Sequence, residues 1–211
     1  MKRSLTVFCV CILAMVAGVY TAYAEEPVKI TIATYLSPVY EDLFIKKQQF
    51  ADRVRELGKE KIQVQFLHSE TVLKANDLVP SLMTGATDVI FHVSALVHEN
   101  WPEIGGIGLP FLYQDETDCQ NRLMPGKPLF ELLNQEMNKK YGVQILTSAV
   151  LRGMIIATSN KPIEKLADFN GLKIRSLGKV DAGYIRACGG VTLSLQSAQM
   201  NEALKKERLT A

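Results

Sequence analysis

The chain has 211 residues, with 24 basic and 22 acidic side chains and a formal charge of +2. That near-balance excludes the strongly basic character of nucleic-acid-binding domains, so no nucleic-acid partner is expected.

Residues 1–24 have the layout of a secretory signal peptide. Lys2 and Arg3 form a positive start, Leu5 to Val19 is almost wholly apolar, and Ala22-Tyr23-Ala24 gives a small-x-small cleavage site before Glu25-Glu26. Cleavage after Ala24 sends the protein to the periplasm; the competing reading is an uncleaved N-terminal anchor. Cleavage removes both of those basic residues and no acidic one, leaving 187 residues with 22 charges of each sign. The mature part keeps Cys119 and Cys188, which an oxidising compartment could join or which could stay as two buried thiols.

Beyond Ala24, strands and helices alternate. Ile30 to Ala33 alternates with period two and predicts a strand. Leu43, Phe44, Phe50, Ala51, Val54 and Leu57 recur at helical spacing, and Gly58 is expected to end that helix. Ile62, Val64 and Phe66 predict a second strand. Leu73, Leu78, Leu82 and Met83 predict a helix that ends at Gly85, with Pro80 late in it as a bend. Asp88 to Phe91 predicts a buried third strand. This βαβαβ order is the sequence form of a parallel sheet covered by helices.

Residues 100–113 read as a loop because of Pro102, Gly105, Gly106, Gly108 and Pro110. A helix is expected from Pro128, stopped by Gly142. Val143–Leu146 and Met154–Ala157 predict strands, followed by a turn-rich stretch from Pro162 to Gly171. Leu172 to Arg175 predicts a strand ending on a charge. A helix over 180–187, a short strand over 191–193 and an amphipathic helix from about Ser197, through Met200, Ala203 and Leu204, complete the chain.

Chemistry-bearing residues are sparse. His68, His92 and His98 match no strong metal-ligand spacing. Gly105-Gly106-Ile107-Gly108 lacks the Lys-Ser or Lys-Thr of a phosphate loop, and no Gly-x-Ser-x-Gly elbow occurs. An exported α/β enzyme therefore has no catalytic constellation to rest on. His92 follows the third strand, where open α/β sheets bind ligands; it is either a ligand contact or an ordinary polar loop residue. Arg175 ends a strand, and its planar fork suits a carboxylate. From position alone it is either a ligand contact or a surface arginine in an ion pair.

The stretch from Lys161 to Arg175, KPIEKLADFNGLKIR, resembles the P-I-x-x-L-x-D-x-x-G-L-K-I-R signature of the substrate-binding proteins of TRAP transporters, DctP type. Leu109-Pro110-Phe111-Leu112 is similar to that family's L-P-F-L, Gly142 to Leu146 to its G-V-x-x-L, and Thr158-Ser159-Asn160 to its T-S-N. The resemblance spans the mature chain and is most specific over Gly171–Arg175. It implies a periplasmic-binding-protein-like α/β fold, with a first lobe over 25–147 and a second over 148–211 that stops incomplete. It also implies binding of a small organic acid for delivery to TRAP membrane permease subunits, without a cofactor.

By the same resemblance, Arg175 clamps the ligand carboxylate. A further arginine of many relatives falls on Ile155 here, leaving Arg152 as the nearest alternative cation, while Tyr35 and His92 hold positions where relatives contact ligand. Departures cluster near the end. Gln199 stands for a usual Glu, Asn201 for Tyr, Glu207 for Gly and Thr210-Ala211 for Asp-Gly. With the second lobe unfinished, the alternative expectation is a truncated remnant that binds nothing.

Overall fold

A computed structural model describes residues 26–69, 72–151, 156–158, 162–195, 199–206 and 208–210. The expected signal segment, Arg152, Ser197 and part of the expected 154–157 strand lie outside these residues.

The first sheet has three parallel strands, β1 (Val28–Thr34), β2 (Ile62–Leu67) and β3 (Val89–Phe91), in the order β2-β1-β3. The central strand sets the register: Ile32 lies between Phe66 and Val89, and Thr34 lies opposite Phe91. Ile32 and Ala33 point to opposite faces and are both fully buried, so helices cover the sheet on both sides. The steps β1→β2 and β2→β3 run in opposite directions along the sheet. Right-handed crossovers then put their helices on opposite faces.

On one face lies α1 (Glu41–Gly58), which packs Ala51, Phe50 and Val54 on Ile32, Val64, Val89 and Phe91. The other face meets α2 (Leu78–Met83), α3 (Ser94–Val97), α4 (Pro102–Gly105) and α6 (Pro128–Tyr141). Their shared core is Val79, Val97, Trp101, Ile104 and Met137, with Ile90 packed against it. β3 itself is only half-buried, less enclosed than its apolar run predicts.

Several boundaries differ from expectation for local reasons. Pro80 stands in the first turn of a six-residue helix, where its missing N–H costs nothing, and Leu73 lies outside that helix. Within the expected 100–113 loop, Pro102 occupies the first turn of α4, and a 3₁₀ turn over Gly106–Gly108 follows. A helix absent from the sequence reading, α5 (Glu116–Leu123), is started by Asp115, whose carboxylate accepts the Asp118 N–H at 2.8 Å. Gly142 does end α6, in the left-handed conformation at φ 65°.

The expected strand at Val143–Leu146 is not a strand. Residues 143–151 run without ladder partners and are held by side chains instead. The Asn134 amide oxygen accepts the Ile145 N–H at 2.8 Å, the Gln120 side chain accepts the Val150 N–H at 3.0 Å, and Ser148 Oγ donates to the Leu123 carbonyl. Helices α5 and α6 thus supply the partners that a neighbouring strand would give. Ile156 and Ala157 are not in a strand either.

A second sheet pairs β4 (Lys173–Ser176) with β5 (Val191–Ser194) in parallel, joined by α7 (Lys179–Ala187). Leu172, Ile174 and Ile185 form its core, with Ile163 and Phe169 against them. Arg175 is the penultimate residue of β4 rather than its last. The final helix described, α8 (Met200–Lys205), buries Ala203, but Leu204 faces solvent.

Candidate functional site

Tyr35 follows the carboxyl end of β1, His92 follows that of β3, and Arg175 sits at that of β4. In open parallel sheets, ligands sit outside the carboxyl ends of strands, where neighbouring connections diverge to opposite faces. Here the connection after β1 leads to α1 on one face, and the residues after β3 lead to α3 on the other. Tyr35 and His92 therefore lie at the strand ends where the ligand crevice of such sheets opens.

The two rings meet at 5.6 Å between centroids, tilted by 51°. Both ring nitrogens of His92 are engaged. Nε2 donates to the Ala75 carbonyl at 2.8 Å, and Nδ1 accepts the Val93 N–H at 2.9 Å. Burial pushes its pKa down to about 4, against a smaller opposing effect of the Ala75 hydrogen bond. His92 is therefore a neutral Nε2–H imidazole at neutral pH. It braces Tyr35 and ties the edge of the sheet to the segment before α2.

Arg175 is half-buried, and its Nε donates to the Leu195 carbonyl at 2.9 Å. Leu195 is the residue after β5, so this bond spans the carboxyl ends of both strands and fixes the guanidinium plane there. A fixed plane is the condition for a well-aligned pair of N–H bonds to a carboxylate. Beside this carbonyl is a depression lined by Leu195, Gln199, Glu202, Ala203, Lys206 and Arg208. Arg152, the other cation proposed from sequence, lies outside the described residues.

The two sheets are linked through the end of α3 and the start of α7. The Lys179 backbone N–H, first in α7, donates to His98 Nε2 at 3.1 Å, while His98 Nδ1 donates to the Ala95 carbonyl at 2.7 Å. The Asp181 carboxylate accepts from Leu177 N–H at 2.6 Å and Gly178 N–H at 2.8 Å. The start of α7 is thereby satisfied from both its own helix and the other sheet's side. Lys179 Nζ also approaches Glu99 at 3.6 Å, an exposed pair of little energetic weight. This role of His98 had no signal in the sequence, because its partner is a backbone amide 81 residues away.

Cys119 and Cys188 are both free and half-buried. Among the described residues no three His, Cys, Asp or Glu side chains converge as a metal site would require.

Residues 32–208 match the family of bacterial extracellular solute-binding proteins, family 7. An uncharacterised protein of Haemophilus influenzae is 23% identical over 156 residues, covering 74% of this chain and 45% of its own length. Solved structures of the same fold include a TRAP periplasmic solute-binding protein of Roseobacter denitrificans with bound β-D-glucuronate, at 19% identity and TM-score 0.72. A Bordetella pertussis extracytoplasmic solute receptor binding pyroglutamic acid has TM-score 0.70 at 19% identity. A TRAP periplasmic solute-binding protein of H. influenzae with bound L-gulonate has TM-score 0.69 at 20% identity. These matches cover 86% (R. denitrificans) and 87% (the other two) of this chain, and 59% of each of those chains. The chain thus spans a little under half to three-fifths of the length of the relatives it matches. Its fold is that of these solute-binding proteins, with one three-stranded and one two-stranded parallel sheet. The match over most of its length makes this chain a member of the bacterial extracellular solute-binding proteins, family 7.

Proposed function

We propose that the protein binds a small organic acid outside the cytoplasm and presents it to a TRAP-type permease, without transforming it. The observation that carries this reading is Arg175, oriented by its bond to Leu195 at the carboxyl ends of β4 and β5. A planar cation held there suits a carboxylate, and relatives of the same fold carry β-D-glucuronate, L-gulonate or pyroglutamic acid. Tyr35, braced by His92, forms the opposing wall from the first sheet, and Arg152 is a second cation for the same acid.

In this reading residues 25–147 are the first lobe and 148–211 belong to the second. Residues 1–24 direct export and are cleaved after Ala24. Binding draws the lobes together across the crevice, a hinge motion that couples ligand capture to a shape the permease recognises.

The test is calorimetric titration of the purified protein with D-glucuronate, L-gulonate and pyroglutamate, beside Arg175→Ala and Arg175→Lys. A charge-assisted bidentate contact contributes roughly 1.5–3 kcal/mol, so Arg175→Ala should bind at least about tenfold more weakly. Lysine keeps the charge but loses the fork, and should recover only part of the affinity. Equal binding of the same acid by Arg175→Ala would remove the assigned role.

A further inference from the structure

Lys47 stands apart from the other lysines. Among the described residues it is the one half-buried lysine, and the others are exposed. Its ammonium donates to the Leu43 carbonyl at 2.8 Å and lies 5.7 Å from the centroid of the Phe91 ring. Among the described residues no carboxylate comes within 4 Å of it, whereas Lys140, Lys179 and Lys206 all have one. Burial lowers its pKa from the ordinary lysine value.

The location of that charge matters more than its burial. Lys47 is in the second turn of α1, the helix that begins just after the carboxyl end of β1. Helical side chains lean toward the helix N-terminus, so its ammonium reaches one turn back, toward the edge of the sheet. Phe91, over which it lies, is the last residue of β3 and the register partner of Thr34. Tyr35 and His92 are the next residues on those two strands. Strand alternation turns them to the other face of the same edge, where His92 bonds to Ala75.

A half-buried ammonium without a counter-charge is unfavourable in an isolated protein, and such groups concentrate where a ligand supplies the missing charge. We propose that Lys47 is a further cationic ligand contact, donating from the side of the three-stranded sheet to the same acid that Arg175 holds from the two-stranded sheet. This rests on the acid-binding reading above. The ammonium exchanges part of its contact with the Leu43 carbonyl for a carboxylate or hydroxyl oxygen of the acid. Cations contributed by the two sheets make occupancy of both depend on lobe closure, which selects acids long enough to bridge them.

The experiment uses Lys47→Gln and Lys47→Arg in titrations with D-glucuronate, L-gulonate and pyroglutamate. Lys47→Gln should lose about tenfold or more in affinity for whichever acid the wild type binds, and Lys47→Arg should keep most of it. Ligand-free Lys47→Gln should melt no lower than wild type, because no ion pair with a described residue is lost and glutamine can still donate to the Leu43 carbonyl. A second measurement needs no variant: acetylation of wild-type lysines, read by mass spectrometry with and without the acid. Protection of Lys47 with unchanged labelling of the exposed Lys46 supports the contact. Equal labelling of Lys47 with and without acid, or a loss below about threefold in Lys47→Gln, overturns it while the acid-binding reading stands. A wild-type protein that binds none of the three acids overturns both.

Discussion

His98 and Lys179, 81 residues apart, join the two sheets: the first N–H of α7 donates to His98 Nε2 at 3.1 Å. The approach is close because residue 178 has no side chain. A Cβ on Gly178 would lie 2.2 Å from the Ala95 carbonyl oxygen and 2.8 Å from His98 Cε1. The backbone at Gly178 is extended, at φ −153°, so the conformation itself suits any residue. Gly178→Ala should therefore act by prising α7 from α3. Hydrogen exchange should rise at residues 94–99 and 177–181, and the melting temperature should fall. Gly183, in the middle of α7, has open space around its Cβ position. Gly183→Ala should stabilise by about 0.5–1 kcal/mol through helix propensity alone. Unchanged exchange at both segments in Gly178→Ala would show that the contact is not tight in solution.

His92 gives stability a pH dependence whose sign follows from its neutral state. Its folded pKa, about 4, lies below the ordinary histidine value of 6.5. Between these two values the unfolded chain binds more protons than the folded one, so stability falls as pH falls. The contribution is complete above about pH 6.5 and is lost as pH drops to about 4. The gap corresponds to roughly 3 kcal/mol at 1.36 kcal/mol per unit. Urea midpoints measured from pH 7 to pH 4 should decline more steeply for wild type than for His92→Asn. Parallel declines would mean that burial does not hold His92 neutral in the folded protein.

Met137 is fully buried between Val79, Val97, Trp101 and Ile104, where α6 closes the second face of the sheet. Met137→Ala should cost about 2–5 kcal/mol, and Met137→Leu less than about 1.5, because leucine preserves volume. Urea denaturation separates the two. A small loss for alanine would indicate that α6 collapses readily into the space.

The βαβαβ core was readable because its signal is local: Ile30, Ile32, Val64 and Phe66 alternate, and the Phe50–Val54 face repeats at helical spacing. Val143–Leu146 has the same alternation yet forms no ladder, since pairing depends on whether another strand edge is near. Periodicity cannot report that, and Asn134 and Gln120 satisfied the backbone instead. Helix α5 was invisible because it is almost wholly polar, though Asp115 and Asp118 carried a capping signal. The site divides the same way. The place of Arg175 near the carboxyl end of a strand was legible from the local pattern, one residue short of the observed strand end. The engagement of both His92 nitrogens and the His98–Lys179 bond depend on partners distant in sequence.

The end of α1 reverses a common expectation about glycine. Gly58 looks like the residue that leaves the helix in a left-handed conformation, but it is right-handed at φ −72°. The positive φ, 48°, belongs to Lys59. Gly58 is needed for space: a Cβ there would lie 2.4 Å from Cβ of Ile62, the residue that opens β2 opposite Val28. The two positions should thus respond in opposite senses. Lys59→Gly should stabilise by about 1 kcal/mol, because glycine adopts positive φ without the Cβ penalty. Gly58→Ala should destabilise by about 1–3 kcal/mol, since Ile62 is pinned by its strand and cannot yield. Urea midpoints of both single variants and the double variant check this. Gly58→Ala should remain damaging in the Lys59→Gly background, because relieving a dihedral angle next door creates no room beside Ile62. A double variant as stable as Lys59→Gly alone would place the strain in the backbone instead.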